Sequence, residues 1–171
     1  SYSDNPAKID HKEVIRHSKA GRMSVTNGPF LKVKLSDGTM PGGTARSTES
    51  VDVNIRVQTT TWIDIDRVQI LVNGRAPAAF NFTRDSDPKY FRDSTSRVRF
   101  EGTINVQPTS DAHLIVAAVG EGFDFRTDYG RSWPSTMHPC AFTNPMFVDT
   151  DGNGFTPNGD TLDHPLPVGK Y

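Results

Sequence analysis

The residues at positions 51–57 alternate between apolar and polar side chains, and this pattern constrains the fold more than any other stretch. The apolar positions are Val51, Val53, Ile55 and Val57, and the polar positions are Asp52, Asn54 and Arg56. Successive side chains of a β-strand point to opposite faces of its sheet. The pattern therefore predicts a strand with one face in a core and the other in solvent, so an apolar layer must lie opposite it.

Strand-like segments follow one another along the rest of the chain. They lie at 23–26, 30–35, 65–72, 78–82, 97–106, 111–119 and 141–148. Asn73 and Gly74 form a hairpin-turn signal between two of these segments, and Trp62 is a candidate for the core. Together they predict a mainly β fold: an antiparallel, immunoglobulin-like β-sandwich of seven or eight strands with one short N-terminal helix.

The one good helix candidate lies at 11–20. Val14 and Ile15 fall on its apolar face, Asp10 can cap its N-terminus, and Gly21 stands where a helix would end. A helix this short is marginal in water on its own, so we expect it to need a surface on which to pack.

Composition and charge narrow the function classes. The 171 residues suit one domain, and the net charge of −1 comes without any basic stretch that would indicate a nucleic-acid interface. No apolar run approaches the length of a membrane span. Cys140 is the only cysteine, so no disulfide can form within the chain.

Residues 147–160 carry oxygen atoms at the spacing of a calcium-binding loop. The candidate ligands are the side chains of Asp149, Asp151, Asn153 and Asp160 and the main-chain carbonyl of Phe155. Asp160 is twelfth counting from Asp149, which is the EF-hand spacing with Asp in place of the usual Glu. No helix pattern flanks the loop, so a true EF-hand is not expected. The alternative is a metal-free turn whose carboxylates cap backbone amides.

The connection at 121–140 is long for a compact domain and carries four aromatic residues. They are Phe123, Phe125, Tyr129 and Trp133, with charged residues between them. Loops of this length are often functional. The rings could contact a ligand by stacking on sugars, or they could dock against a partner domain. Alternatively, they fold back as a lid over the end of the sandwich.

Three segments, in this order, resemble a known family. Residues 20–30 read Ala-Gly-Arg-Met-Ser-Val-Thr-Asn-Gly-Pro-Phe, residues 62–74 read Trp-Ile-Asp-Ile-Asp-Arg-Val-Gln-Ile-Leu-Val-Asn-Gly, and residues 144–149 read Asn-Pro-Met-Phe-Val-Asp. The first resembles the segment that closes the catalytic domain of bacterial polymerase-and-histidinol-phosphatase (PHP)-type metallohydrolases. The other two resemble parts of the β-sandwich that follows it. The resemblance covers most of the chain from Glu13 onward.

The resemblance implies the non-catalytic C-terminal part of such a protein. The family's catalytic domain binds metals through an early His-x-His pair, and this sequence contains none, so no catalytic residue can be assigned. Residues 1–29 would be an N-terminal helix and short strand left from a preceding domain, and residues 30–171 the sandwich. The expected function is an accessory domain that packs on, or shapes access to, the catalytic domain of a PHP-type metal-dependent phosphoesterase-like protein.

A second hypothesis makes the chain a calcium-stabilised carbohydrate-binding or cell-surface adhesion module. It rests on the loop at 147–160 and on the aromatic residues at 121–140. Such a loop is easiest to load where calcium is millimolar, which favours an exported protein. The expected partners are thus a catalytic domain or a carbohydrate, with calcium as the one expected cofactor and with no nucleic acid.

Overall fold

The alternating segments assemble into two sheets that share one core. The computed structural model describes residues 5–126 and 130–159. The α-helix is α1 (His11–Lys19). The strands are β1 (Ser24–Thr26), β2 (Phe30–Leu35), β3 (Thr44–Arg46), β4 (Val51–Gln58), β5 (Arg67–Val72), β6 (Asn81–Thr83), β7 (Val98–Val106), β8 (Ala112–Val119), β9 (Cys140–Thr143) and β10 (Met146–Asp149).

Strand β8 is the centre of a seven-stranded sheet. β5 pairs antiparallel with one edge of β8, and both β9 and β10 pair antiparallel with its other edge. β6 extends the sheet beyond β5. At the opposite side, β1 pairs antiparallel with β9, and β3 pairs parallel with β10. β9 and β10 therefore occupy a single row of the sheet, which is interrupted at Asn144 and Pro145.

Strands β2, β4 and β7 form the second sheet, with β4 in its centre. The four apolar residues of β4 are between 0% and 5% exposed, as the alternating pattern predicts. They join one apolar cluster with residues of the larger sheet such as Val68 and Leu114. Full burial of an aliphatic side chain contributes about 1.5–3 kcal/mol, so this shared cluster holds the two sheets together. The predicted β-sandwich is confirmed.

A β-bulge in β7 turns an arginine into the interior. Val57 pairs with Phe100 and the next residue, Gln58, pairs with Val98, which leaves Arg99 as the extra residue. A bulge of this kind re-aims the side chains beside it. Arg99 and Phe100 are both 0% exposed, although they are neighbours in a strand.

The strand count differs from the prediction for two reasons. The segment at 141–148 divides into β9 and β10 because Pro145 has no amide proton to continue the ladder. In addition, β3 forms inside the stretch between β2 and β4 that reads as a loop. Because β3 runs parallel to β10, the larger sheet is mixed rather than purely antiparallel. The expectation that Trp62 fills the core is wrong, since its side chain is 56% exposed.

Helix α1 begins and ends where the sequence predicts. The Asp10 carboxylate accepts a hydrogen bond from the Lys12 amide at 2.9 Å, and Gly21 follows the helix with a φ of 68°. None of the residues of α1 is buried, and Val14 and Ile15 are each 51% exposed. Within the described residues, no helix has the length and apolar character that crossing a bilayer would require.

The C-terminal end of α1 is attached to the interruption between β9 and β10. Asn144 Nδ2 donates to the Gly21 carbonyl at 3.0 Å, and the Asn144 amide donates to the Met23 carbonyl at 3.1 Å. The Gly42 amide donates to the Pro145 carbonyl at 2.8 Å. Gly42 lies so close to the helix end that a Cβ there would be 2.0 Å from the Ala20 carbonyl oxygen. A glycine is therefore required at this position.

Candidate functional site

The predicted calcium loop begins where β10 ends. Asp149 is the last residue of β10, and its Cα lies opposite that of Arg46 in the parallel strand β3. Its side chain is buried, with 1% exposure. Because β8 runs antiparallel to β10, the start of β8 lies beside the end of β10. This pairing brings Asp111, which immediately precedes β8, next to Asp149.

Three carboxylates converge at this end of the sheet. Oxygen atoms of Asp111, Asp149 and Asp151 all lie within 4.8 Å of one another. Asp149 is buried, Asp111 is half-buried and Asp151 is exposed. Carboxylate oxygens are the ligands that hard divalent cations prefer. These three aspartates could therefore hold a metal ion.

The loop is folded around its own carboxylates. Asp149 accepts hydrogen bonds from the amides of Gly152 at 2.7 Å and Gly154 at 3.1 Å, and Asp151 accepts one from the Asn153 amide at 3.1 Å. Gly152 and Gly154 have φ angles of 77° and 107°, which glycine adopts without steric cost. These bonds correspond to the turn chemistry that the metal-free alternative describes.

Asp111 ties this loop to the start of β8. Its Oδ1 accepts hydrogen bonds from the amide and the hydroxyl of Thr150, at 2.8 and 3.0 Å, and its Oδ2 accepts one from the Thr156 amide at 2.7 Å. The amide of Thr150, followed by that of Thr156, holds the pKa of the Asp111 carboxyl below its ordinary value. Asp111 is therefore ionised at neutral pH, which is the state that a metal ligand requires.

The arrangement fits a divalent cation in part. Each carboxylate oxygen can accept more than one bond, so the amide bonds leave room for a metal. Arg46 places its Nε 3.5 Å from Asp149 Oδ2, but its side chain is 75% exposed and free to swing outward. Calcium requires about 6–8 oxygens, so carbonyl groups or water would have to complete the shell.

The remaining residues of the predicted calcium site are placed differently. Asn153 Nδ2 donates to Asp151 Oδ2 at 2.6 Å, so the amide nitrogen, and not the oxygen predicted as a ligand, is the atom bonded to the carboxylate cluster. The ring of Phe155 packs against that of Phe147, with centroids 4.7 Å apart, and this contact anchors the loop to β10. Asp160 lies outside the described residues.

The aromatic residues of the connection at 121–140 do not share one role. Phe125 is 4% exposed and its amide donates to the Ser135 carbonyl at 3.0 Å, so this ring folds back as the lid alternative predicts. Phe123 is 38% exposed and Trp133 is 80% exposed. Tyr129 lies outside the described residues. Only Phe123 and Trp133 thus present apolar surface to a ligand or partner among the described residues of this group.

The sequence prediction missed Asp111 as a member of the carboxylate cluster. It lies thirty-eight positions before Asp149, and only the antiparallel pairing of β8 with β10 brings the two together. The signal available in the sequence is its position directly before the apolar segment at 112–119. A carboxylate at the start of one strand meets a carboxylate at the end of another when the two strands are antiparallel neighbours.

Comparison of the sequence with protein-family models and with curated proteins gives no significant match.

Proposed function

We propose that this chain is a non-catalytic accessory β-sandwich that packs on the catalytic domain of a PHP-type metal-dependent phosphoesterase-like protein. The resemblance of residues 20–30, 62–74 and 144–149 to that family motivates the choice of partner. The observation that carries the proposal is the exposure of α1, whose apolar residues meet no core within the described part of the chain.

The docking surface proposed here is the cleft between α1 and the segments beside it. Its apolar lining consists of Ile9, Val14, Met23 and Met40, and its polar lining includes Glu13 and His17. Ile9 is 57% exposed, and Met23 and Met40 are each 40% exposed. Contiguous apolar surface of this kind is typical of contacts with another domain or protein.

The helix itself supports the same proposal. A nine-residue helix has little stability of its own, because the free energy cost of nucleating it exceeds the free energy that the hydrogen bonds of a few turns contribute. Here the Asp10 cap and the attachment at Gly21 and Gly42 hold it in place at its two ends. Burial of Val14 against a partner would supply the packing energy that the sandwich does not.

Two matched substitutions test this docking surface. Val14 lines the cleft and Ile15 does not, although both are 51% exposed on the same helix. We expect Val14→Asp to abolish association with a separately purified PHP-type catalytic domain in sedimentation velocity or calorimetry. Ile15→Asp should weaken that association much less. Equal association of Val14→Asp and the unchanged chain would contradict the proposal.

A second function is favoured by the carboxylate cluster. We propose that Asp111, Asp149 and Asp151 bind calcium and that the ion stabilises the sandwich, as in a calcium-dependent binding or adhesion module. The support is the convergence of three carboxylates on a loop whose spacing resembles a calcium loop.

Calcium titration followed by thermal unfolding tests the second function. An ion that binds only the folded state raises Tm progressively as the concentration of free ion increases, and EDTA reverses the rise. Asp151→Asn should reduce the rise, because Asp151 is the exposed ligand and its loss disturbs the fold least. Asp37→Asn is the control, since that carboxylate caps Thr39 in a separate turn. An unchanged Tm in excess calcium would leave only the metal-free turn.

A further inference from the structure

Two exposed aromatic rings line a second cleft, at the junction of β2 with the loop between β4 and β5. Trp62 is 56% exposed and Phe30 is 54% exposed. The rest of the lining consists of Gly28, Gln58, Thr59, Thr60, Thr61 and Arg97. This cleft shares no lining residue with the cleft beside α1.

The loop that carries Trp62 is held rigidly from within. Thr59 Oγ1 donates to the Ile63 carbonyl at 2.8 Å and closes the turn. The guanidinium of the buried Arg99 donates to the Thr60 carbonyl at 3.0 Å and to the Ile63 carbonyl at 3.0 Å. Bonds from Arg99 therefore hold the chain on both sides of Trp62.

Arg99 is in turn fixed by its own partners. Asp64 Oδ1 lies 3.1 Å from Arg99 Nε and 2.8 Å from Arg84 Nη2. Arg99 Nη1 also donates to the carbonyls of Ser94 and Ser96 in the neighbouring loop. A buried charge needs such complete pairing, because isolated burial is costly. The network thus presents Trp62 to solvent on a preorganised support.

The charge on the lining of this cleft is positive. Arg97 is exposed and makes no ion pair among the described residues, and none of the lining residues is acidic. Gln58, Thr60 and Thr61 add neutral amide and hydroxyl groups that can donate to or accept from a ligand. The cleft therefore favours a ligand that combines a flat apolar face, many hydroxyl groups and a negative charge.

We propose that this cleft binds an acidic polysaccharide, with one sugar ring on Trp62 and a sugar carboxylate at Arg97. The face of an indole ring is electron-rich and attracts the polarised C–H groups on the apolar face of a pyranose. Thr60 and Thr61 line the same cleft, and their hydroxyl groups can exchange hydrogen bonds with those of a sugar. An exposed aromatic ring on a fixed loop loses little conformational freedom when it binds.

An extended peptide suits the cleft less well. A peptide that adds a strand needs an open row of backbone donors and acceptors. β2 is an edge strand whose pairing with β4 occupies one side only, but on either side of Phe30 the carbonyls of Pro29 and Leu31 accept hydrogen bonds from Thr26 Oγ1 at 2.6 Å and Ser24 Oγ at 3.4 Å. This inference goes beyond the docking role of α1, and its failure would leave that role unchanged.

The two tryptophans of the chain allow a direct test. Trp133→Phe leaves Trp62 as the sole tryptophan, and Trp133 is 80% exposed, so this variant should fold normally. Titration with sodium polygalacturonate should shift the Trp62 emission saturably. In affinity electrophoresis on the same polymer, Trp62→Ala should weaken retardation at least tenfold. Arg97→Gln should weaken it several-fold and reduce its dependence on salt.

Three controls decide the outcome. Neutral galactan should bind far more weakly than polygalacturonate, and so should poly-L-glutamate, which carries the charge without the sugar ring. Phe142→Ala should retain binding in electrophoresis, because its ring is 45% exposed on β9 and does not line the cleft, and circular dichroism should show that every variant is folded. An unchanged Trp62 emission, equal binding of either control polymer, or full binding by folded Trp62→Ala would each overturn the proposal.

Discussion

The buried ion pair between Arg99 and Asp64 constrains the sandwich at the scale of single residues. Asp64 is the only carboxylate within salt-bridge distance of Arg99 among the described residues, and Arg99 is 0% exposed. Replacing Asp64 by Asn would leave the guanidinium buried beside a neutral amide. We expect a loss of about 3 kcal/mol in the free energy of unfolding, measured by urea denaturation.

An exposed ion pair in the smaller sheet serves as the control for this substitution. Arg56 and Glu101 are 3.3 Å apart and each side chain is 46% exposed. Glu101→Gln should change the free energy of unfolding by less than about 1 kcal/mol, because water screens exposed pairs. A similar loss for Asp64→Asn and Glu101→Gln would show that burial does not set the strength of the Arg99 pair.

The lowered pKa of Asp111 predicts that the folded state loses stability at acidic pH. Its folded pKa lies below the ordinary aspartate value of 3.8, so the folded state binds the proton less tightly than the unfolded state does. Its stabilising contribution is therefore complete above that ordinary value and is lost as the pH falls through the lower folded pKa. Asp111→Asn should flatten the fall of Tm between neutral pH and pH 3.

A carboxylate elsewhere in the chain controls for general acid effects. Asp37→Asn removes a charge from a turn between β2 and β3 and should leave the slope of Tm against pH close to that of the unchanged chain. If Asp111→Asn has the same slope as the unchanged chain, the amide bonds from Thr150 and Thr156 do not contribute as described.

Four residues show which features of the site and of the core a sequence pattern can reveal. Asp149 and Asp151 are recognisable because their oxygens recur at a spacing that lies within one loop. Asp111 is not, because its proximity depends on the pairing of β8 with β10. Arg99 reads as a solvent-facing position of an alternating strand, and only the bulge in β7 turns it inward. Contacts set by register or by a bulge have no local signature in the sequence.

At the scale of elements, the join between α1 and the sandwich depends on Gly42. Its φ is 81°, and a Cβ there would lie 2.0 Å from the Ala20 carbonyl oxygen. We expect Gly42→Ala to lower the free energy of unfolding by about 2–4 kcal/mol, which combines backbone strain with the displacement of the helix end. Chemical denaturation followed by circular dichroism measures the change.

Gly38 separates the two causes of this loss. Its φ is 91°, but a Cβ there would meet nothing within 4 Å. Gly38→Ala should therefore cost only the backbone strain, about 1–2 kcal/mol. Equal losses in the free energy of unfolding for the two variants would mean that the close approach of Gly42 to the helix end does not contribute to the loss.

Elements with a strict pattern were predicted well, and those that depend on pairing were not. β2 and β4 follow from period-two alternation, and α1 follows from its cap and its terminal glycine. The segment at 78–82 was expected to be one strand, but Ala78–Phe80 forms a 3-10 helix after Pro77 and only Asn81–Thr83 pairs with β5. β3 has a single buried residue, Ala45, so its three residues carry too little periodicity to be recognised.

For the whole molecule, the distribution of burial predicts unequal protection from hydrogen exchange. Backbone amides of β4, β7 and β8 lie within ladders that flank the shared core, whereas α1 has no buried residue. We expect the α1 amides to exchange through local opening, well before those of the core strands. Mass spectrometry of exchanged peptides measures this directly, and uniform protection of α1 and β8 would contradict it.

The overall architecture could be predicted because many weak local patterns agree on it. A series of short alternating segments with turn signals between them is compatible with few folds other than a β-sandwich or a β-barrel. The sequence cannot decide which strands become neighbours, because pairing between distant segments depends on the register and packing of the complete sheets. The division into a seven-stranded and a three-stranded sheet depends on this pairing, so it could not be predicted from the sequence.

The interruption at Asn144 and Pro145 has a mechanical consequence. The hydrogen bonds from Asn144 to Gly21 and Met23, and from Gly42 to Pro145, all lie at this one point of the larger sheet. A tensile force delivered through α1 would enter the sandwich there and break these few bonds one after another. Once these bonds break, the load passes along the chain to the three-residue ladder between β1 and β9, before it reaches the long ladders of β2, β4 and β7. The helix end should therefore detach at a lower force than the sandwich needs to unfold, so a tethered partner would pull it away from an intact core.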